Sequence, residues 1–192
     1  GEQEAAEIAR AMLFDLLERF ARFCFDAKGG VCGGGCNCCK KVLLFAPKER
    51  KDDFLGHLKG LGQTVADSWE LQEMRGKNTV AGQGSNLGGF LANALESNSY
   101  RGPVLFIGTD CVTLSSITMT TAMSDAHDGS AHICPAEDGG YVLLALPAGA
   151  TTAVFDDVEW SSSQTCESQV AAVRRTELKV NFGDKYPDLD EE

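Results

Sequence analysis

The chain has 192 residues, enough for one domain with a sizeable core, and its contents of 43% hydrophobic and 23% charged residues are ordinary for a globular protein. Its net charge of −11, from 17 basic and 28 acidic residues, argues against a nucleic-acid or anionic-membrane partner, because both require a cationic face. No stretch reaches the ~18 apolar residues of a membrane span, and Glu2, Glu4 and Glu7 stand where a signal peptide would be basic. We therefore expect a cytoplasmic protein whose eight cysteines are mostly thiols.

The first half of the chain predicts two helices and two strands. Apolar residues at spacings of three and four predict a helix over 4–27, and it is followed by a glycine- and cysteine-rich loop over 29–39. A buried-type strand is predicted over 42–46, then a helix over 49–59 and a strand over Thr64–Trp69. The polar, glycine-rich residues 75–84 predict a loop.

The second half alternates helices and strands more clearly. Predicted helices cover 87–95, 116–127 and 162–175, and predicted strands cover 103–108, 131–135, 141–146 and 178–182, before an acidic tail over 184–192. Such alternation is typical of an α/β fold with a mostly parallel sheet. We predict a single domain over residues 1–192, built as a three-layer α/β/α sandwich.

Two short stretches place an acidic residue just after an apolar strand. Asp110 follows the strand 103–108 through Thr109, and Asp138 stands between the strand 131–135 and Tyr141. In parallel sheets ligands sit at the carboxyl ends of strands, where a carboxylate can hold a hard cation against a phosphate. The alternative at each position is a turn acid that is solvated or bonded to its own backbone.

Two other segments have unusual composition. The run Gly82–Gly88 lacks the third glycine of a dinucleotide fingerprint, although the helix that follows could receive an anion at its N-terminus. Four cysteines within eight residues could bind a soft metal, but their spacing does not match a two-plus-two zinc site. A surface loop of reactive thiols is the favoured interpretation of this cluster, which comprises Cys32, Cys36, Cys38 and Cys39.

Taken together, these motifs resemble a known family. The chain is similar to the glycosyltransferase-A-like transferases that accompany radical-SAM enzymes, which have the nucleotide-diphospho-sugar transferase fold and are related to 2-phospholactate guanylyltransferase. The most specific matching stretch is Pro135–Leu146, with the sequence PAEDGGYVLLAL. The other stretches match in the family's order: Gly1–Phe14, Gln83–Leu95, Phe106–Leu114, Phe155–Thr165 and Asp188-Leu189-Asp190.

The resemblance implies a transferase that moves a glycosyl group from a nucleotide-sugar donor, with Mg or Mn as the divalent cation. It implies that Asp110 holds the metal, together with Asp188 or Asp190, and that Asp138 is the catalytic residue on the sugar or acceptor side, where an acid orients the incoming hydroxyl. It also implies a set of substrate-binding positions in the same crevice, and these are Gly84, Asn86, Gly108, Thr109, Gly139, Gly140, Tyr141 and Trp160.

This chain departs from the family pattern in several places. The chain begins at Gly1, after the position of the family's usual first strand and basic nucleotide-gripping loop, so either the sequence is a piece of a longer one or this is a degenerate member. Phe90 stands where an arginine is usual, and Val112 stands where a proline is usual. Three alternatives to a glycosyltransferase stay open. They are a nucleotidyltransferase of the guanylyltransferase type, a degenerate domain without catalytic activity, and a soft-metal binder that uses the cysteine cluster.

Overall fold

The computed structural model describes residues 1–25, 39–75, 87–99 and 102–187. The chain divides into two compact units, Gly1–Met74 and Arg75–Glu192. The expectation of one domain over 1–192 stays a prediction. Within the described ranges, every helix is too short or too polar to cross a membrane.

The first unit packs three helices against a two-stranded parallel sheet. Helix α1 spans Glu2–Ala21, and strands β1 and β2 span Lys41–Phe45 and Trp69–Glu73. A short 3-10 turn at Lys48–Arg50 leads into α2, which spans Lys51–Gly60, and α3 spans Gln63–Ser68. The apolar core of this unit draws on all of these helices, and its buried members are Leu17, Ala21, Leu43, Leu58 and Val65.

Two predictions for this unit were wrong. Thr64–Trp69 is not a strand, because α3 occupies Gln63–Ser68 and β2 begins only at Trp69. Gly62, at φ +104°, turns the chain into this helix, and Gln63 bonds Asp67 one turn later at 2.6 Å. The helix predicted over 4–27 already ends at Ala21, because the following backbone N–H of Phe23 bonds the carbonyl of Phe20 instead of continuing the helical pattern.

The second unit contains three helices and four strands within its described residues. The helices are α4 over Leu87–Asn98, α5 over Ser116–His127 and α6 over Thr165–Arg175. A 3-10 turn covers Thr152–Phe155. The strands are β3 over Val104–Ile107, β4 over Ala131–Pro135, β5 over Tyr141–Leu146 and β6 over Val180–Phe182. The predicted bounds of α5, β4 and β5 are confirmed.

Strand direction in this sheet decides which loops meet. The order is β3-β5-β4-β6, with β5 antiparallel to both of its neighbours and β4 parallel to β6. Strands β3, β4 and β6 therefore run the same way and β5 runs against them. Three of the four strands in the described sheet thus share one direction. Two of the neighbouring pairs are nevertheless antiparallel, because β5 lies between β3 and β4 and runs against both. Strands β4 and β5 form a hairpin instead of being joined by a helical crossover.

Helices cover both faces of the sheet. Helix α5 packs against β4 and β5 on one face. On the other face, α4, α6 and the 3-10 turn close a core around Leu95, Ile133, Leu144, Phe155 and Val173. The second unit thus has the predicted three layers, with alternate residues of β4 and β5 pointing into different cores.

Candidate functional site

Asp110 and Asp138 line the same cavity. Because β3 and β4 run in the same direction, the residues after both strands lie at one rim of the sheet. The antiparallel β5 begins at that rim and supplies its first residues. The cavity measures about 110 Å³ and is lined by Asp110, Cys111, Ala136, Asp138, Gly140, Tyr141, Val142 and Pro187.

The backbone after β3 holds Asp110 at the cavity. The N–H of Gly108 donates to the carbonyl of Val142 at 2.9 Å, which extends the pairing of β3 with β5 by one residue. A Cβ on Gly108 would lie 2.6 Å from Oδ1 of Asp110, so the carboxylate occupies the space that a side chain would fill. Among the described residues, no donor hydrogen-bonds this exposed carboxylate. Its oxygens can therefore accept from a ligand or coordinate a cation.

The hairpin between β4 and β5 holds Asp138. The N–H of Gly140 donates to Oδ1 of Asp138 at 2.7 Å, and the N–H of Ala136 donates to the carbonyl of Gly140 at 2.9 Å. One oxygen of Asp138 is therefore bonded to the backbone of its own turn, which is the alternative interpretation of this residue. The same side chain still lines the cavity, so the turn and the site are compatible.

Gly139 ties this hairpin to the start of α6. Its φ of +92° lies in the left-handed region, and a Cβ there would lie 2.0 Å from the carbonyl oxygen of Ser163. The carbonyl of Gly139 accepts from the N–H of Cys166 at 2.8 Å. Only glycine allows this close approach, so Gly139 positions the hairpin although its own atoms do not line the cavity.

Tyr141 is held by a chain of hydrogen bonds into the core. Its hydroxyl donates to Oε1 of Gln169 at 3.0 Å, and Nε2 of Gln169 donates to the carbonyl of Val154 at 2.6 Å. Burial raises the pKa of Tyr141, so its hydroxyl stays protonated and acts as a donor. Sequence reasoning missed Gln169. The sequence did contain a sign that Gln169 is buried, because it lies four residues from both Thr165 and Val173, which are also buried.

Three thiols lie on elements that lead to the cavity. Cys111 and Cys134 are buried, whereas Cys166 is half-buried. Burial raises the pKa of Cys111, and burial followed by the nearby Asp138 charge raises that of Cys166. Burial, with the charge of Asp184 second, raises the pKa of Cys134 to about 12. These thiols are therefore mostly protonated at physiological pH.

The raised pKa of Cys134 predicts a loss of stability in alkali. Above its ordinary pKa of 9.0 the thiol ionises in the unfolded chain but stays protonated in the folded one until about 12. The stabilisation is thus complete below pH 9 and is lost as pH rises from 9 to 12. Between pH 8 and pH 10 we expect the free energy of unfolding to fall by on the order of 1 kcal/mol more in the unaltered chain than in Cys134→Ala. Urea unfolding at both pH values measures this difference, and equal pH dependence in the two chains would contradict it.

The other predicted substrate-binding residues fall into three groups. Gly108, Gly139, Gly140 and Tyr141 form or support the rim, while Thr109 is exposed and does not line the cavity. Trp160 does not line it either. A Cβ on Gly88 would lie 2.7 Å from Nε1 of Trp160, and the indole packs on the core beside Phe155. The other two predicted substrate-binding residues, Gly84 and Asn86, lie outside the described ranges. So do the predicted metal ligands Asp188 and Asp190, and Cys32, Cys36 and Cys38 of the cysteine cluster.

The segment after β6 also leads to the cavity. The N–H of Tyr186 donates to the carbonyl of Pro135 at 2.9 Å, and the N–H of Glu137 donates to the carbonyl of Tyr186 at 3.0 Å. The hydroxyls of Tyr186 and Thr118 are 2.7 Å apart. These bonds fix Pro187 at the cavity, immediately before Asp188 in the sequence. Tyr186 was missed because a lone tyrosine in an acidic tail carries no periodic signal.

Among the described residues, no three His, Cys, Asp or Glu side chains lie close enough together to hold a metal ion. The cavity therefore offers two described carboxylates, Asp110 and Asp138. This donor set suits Mg²⁺, which is commonly held by one or two carboxylates together with substrate phosphates and water. It does not suit a structural zinc site, which requires four nitrogen or sulfur ligands.

The family model DUF2064, described as an uncharacterized protein conserved in bacteria, matches residues 37–162. The chain belongs to the DUF2064 family. The matched range contains both cavity carboxylates, Asp110 and Asp138, whereas Pro187 lies beyond it.

This DUF2064 chain also matches a solved structure. A crystal structure from Desulfovibrio desulfuricans G20, provisionally named a nucleotide-diphospho-sugar transferase, superposes with a TM-score of 0.74 at 21% sequence identity. The match covers 99% of this chain and 72% of the other. It establishes the nucleotide-diphospho-sugar transferase-like fold predicted from the sequence. No curated protein matches the chain.

Proposed function

We propose that this chain is a metal-dependent transferase that moves a glycosyl group from a nucleotide-sugar donor to an acceptor. The observation that carries the proposal is the shared cavity of Asp110 and Asp138 at the rim where β3 and β4 end. The transferase-like fold supports it, because ligands of open α/β sheets bind outside the carboxyl ends of the strands. Asp188 and Asp190 remain proposed additional metal ligands.

In this proposal Asp110 would hold the cation. Its carboxylate is exposed at the cavity, and no described donor competes for its oxygens. A bound Mg²⁺ or Mn²⁺ would neutralise the charge of the diphosphate leaving group. Such neutralisation matters at this cavity, since the carboxylates of Asp110 and Asp138 otherwise repel a diphosphate.

Asp138 has a different role, because one of its oxygens is already engaged. The N–H of Gly140 fixes Oδ1 and so orients the carboxylate. The other oxygen, Oδ2, can accept the proton of an acceptor hydroxyl as that hydroxyl attacks the sugar. The cavity of about 110 Å³ is smaller than the roughly 300–1,000 Å³ of a typical ligand pocket, so it corresponds to the reacting centre and not to a whole nucleotide sugar.

Calorimetry tests the proposal directly. We expect UDP-, GDP- or ADP-sugar to bind with a Kd in the micromolar range in the presence of Mg²⁺ or Mn²⁺, and to lose most of that affinity in EDTA, because the two carboxylates repel an unneutralised diphosphate. Turnover is then followed as release of the nucleoside diphosphate. Absence of binding for every donor and both metals would contradict the proposal.

The same binding and turnover measurements distinguish glycosyl transfer from the two alternatives of nucleotidyl transfer and no catalytic activity. A relation to 2-phospholactate guanylyltransferase would appear as binding of a nucleoside triphosphate and release of pyrophosphate. A degenerate domain would bind neither class of nucleotide. The association with radical-SAM enzymes stays a prediction, and the genes beside the one that encodes this chain would test it.

A further inference from the structure

Two thiols of the first unit lie around a single backbone carbonyl. Sγ of Cys24 donates to the carbonyl oxygen of Phe25 at 3.9 Å, and Sγ of Cys39 donates to the same oxygen at 3.5 Å. The N–H of Phe25 donates to Sγ of Cys39 at 3.0 Å. Cys24 follows the end of α1 and Cys39 precedes β1, so residues distant in sequence are brought together here.

The surroundings of this pair are apolar. Cys24 is 2% exposed and Phe25 7%, and the rings of Phe23 and Phe25 meet edge to face at 4.9 Å. Burial is the main cause that raises the pKa of Cys39, and the adjacent Cys24 thiol raises it further. Such a site disfavours a dithiolate and any anionic metal complex formed from it, whereas a disulfide is uncharged and suits the apolar surroundings.

We propose that Cys24 and Cys39 form a reversible disulfide that links the end of α1 to the start of β1. The oxidant is a low-molecular-weight disulfide such as oxidised glutathione. The half-buried Cys39 reacts first as the thiolate, attacks one sulfur of the oxidant and releases one thiolate, which takes up the proton that Cys39 lost. Cys24 then loses its proton and attacks Sγ of Cys39, which releases the second thiol. Overall two protein thiols become one disulfide, and one disulfide becomes two thiols.

Peptide mapping of the full chain tests this pairing. The protein is incubated with oxidised glutathione at pH 8, blocked with N-ethylmaleimide and digested with trypsin without reduction. Cleavage after Arg22, Lys28 and Lys40 gives peptide 23–28, which contains Cys24 alone, and peptide 29–40, which contains Cys39 and the other clustered cysteines. We expect the two peptides to be linked with the loss of two hydrogen atoms, and fragmentation to place the bond at Cys39.

Matched variants identify the partner of Cys24. The linked peptide should persist in Cys38→Ser and disappear in Cys39→Ser. It should also persist when Cys32, Cys36 and Cys38 are all replaced by serine. Separate peptides in the unaltered chain, or a link that survives Cys39→Ser but not Cys38→Ser, would overturn the proposal. Fragmentation of the linked peptide from the unaltered chain gives the answer even if a variant fails to fold.

Discussion

Replacement of Asp110 by asparagine should strongly reduce metal-dependent transfer while leaving the fold intact. Asparagine keeps the shape that fits over Gly108 but removes the charge that would hold the cation. We expect kcat/KM to fall by roughly 100-fold or more, equivalent to about 2.7 kcal/mol of transition-state stabilisation. Donor turnover measured across a Mn²⁺ titration should show that excess metal recovers only part of the loss.

Glu137→Gln is the matched control for this substitution. Glu137 is an exposed acid beside Asp138 that does not line the cavity, so the variant changes net charge equally without removing a proposed ligand. We expect its activity to remain within about twofold of the unaltered chain, because a solvated charge outside the site is strongly screened. Equal losses in both variants would show that net charge, and not coordination by Asp110, sets the activity.

Replacement of Gly139 by alanine should be severely destabilising. The new Cβ would lie 2.0 Å from the carbonyl oxygen of Ser163, which belongs to rigid backbone, and the residue would keep φ near +92°. The hairpin must then separate from the start of α6 and lose the bond between the Gly139 carbonyl and the N–H of Cys166. We expect a loss of about 3 kcal/mol or more in the free energy of unfolding, measured by urea denaturation.

Gly129→Ala separates steric clash from backbone strain. Gly129 also has positive φ, at +84°, but a Cβ there meets nothing within 4 Å. We expect this variant to lose only about 1 kcal/mol, the cost of the left-handed conformation alone. If the two variants lost the same stability, the close approach of Gly139 to Ser163 would not matter.

The elements with strong local patterns were predicted most accurately. The predicted bounds of α5, β4 and β5 agree with the structure, because β4 and β5 have short apolar runs and clear breaks such as Asp128-Gly129 and Gly139-Gly140 mark where segments end. The segment Thr64–Trp69 was misassigned because its β-branched residues favour a strand, whereas the N–H groups of Val65 and Ala66 bond the Gly62 carbonyl and begin a helix.

Buried polar contacts could not be predicted, since they depend on residues distant in sequence. His132 is 2% exposed, and its Nδ1 bonds Oδ2 of Asp125 on α5. Gln169 likewise gains its role from Tyr141 and Val154, which are remote from it along the chain.

By itself, the sequence determined the α/β class of this protein and the position of an acid directly after each of two apolar strands. The tertiary structure decided that these acids share a cavity. That outcome depends on strand direction: β3 and β4 are each antiparallel to the β5 strand between them, so they run the same way and end at one rim. Apolar periodicity along a strand carries no information about the direction of its neighbour, so pairing in three dimensions had to supply it.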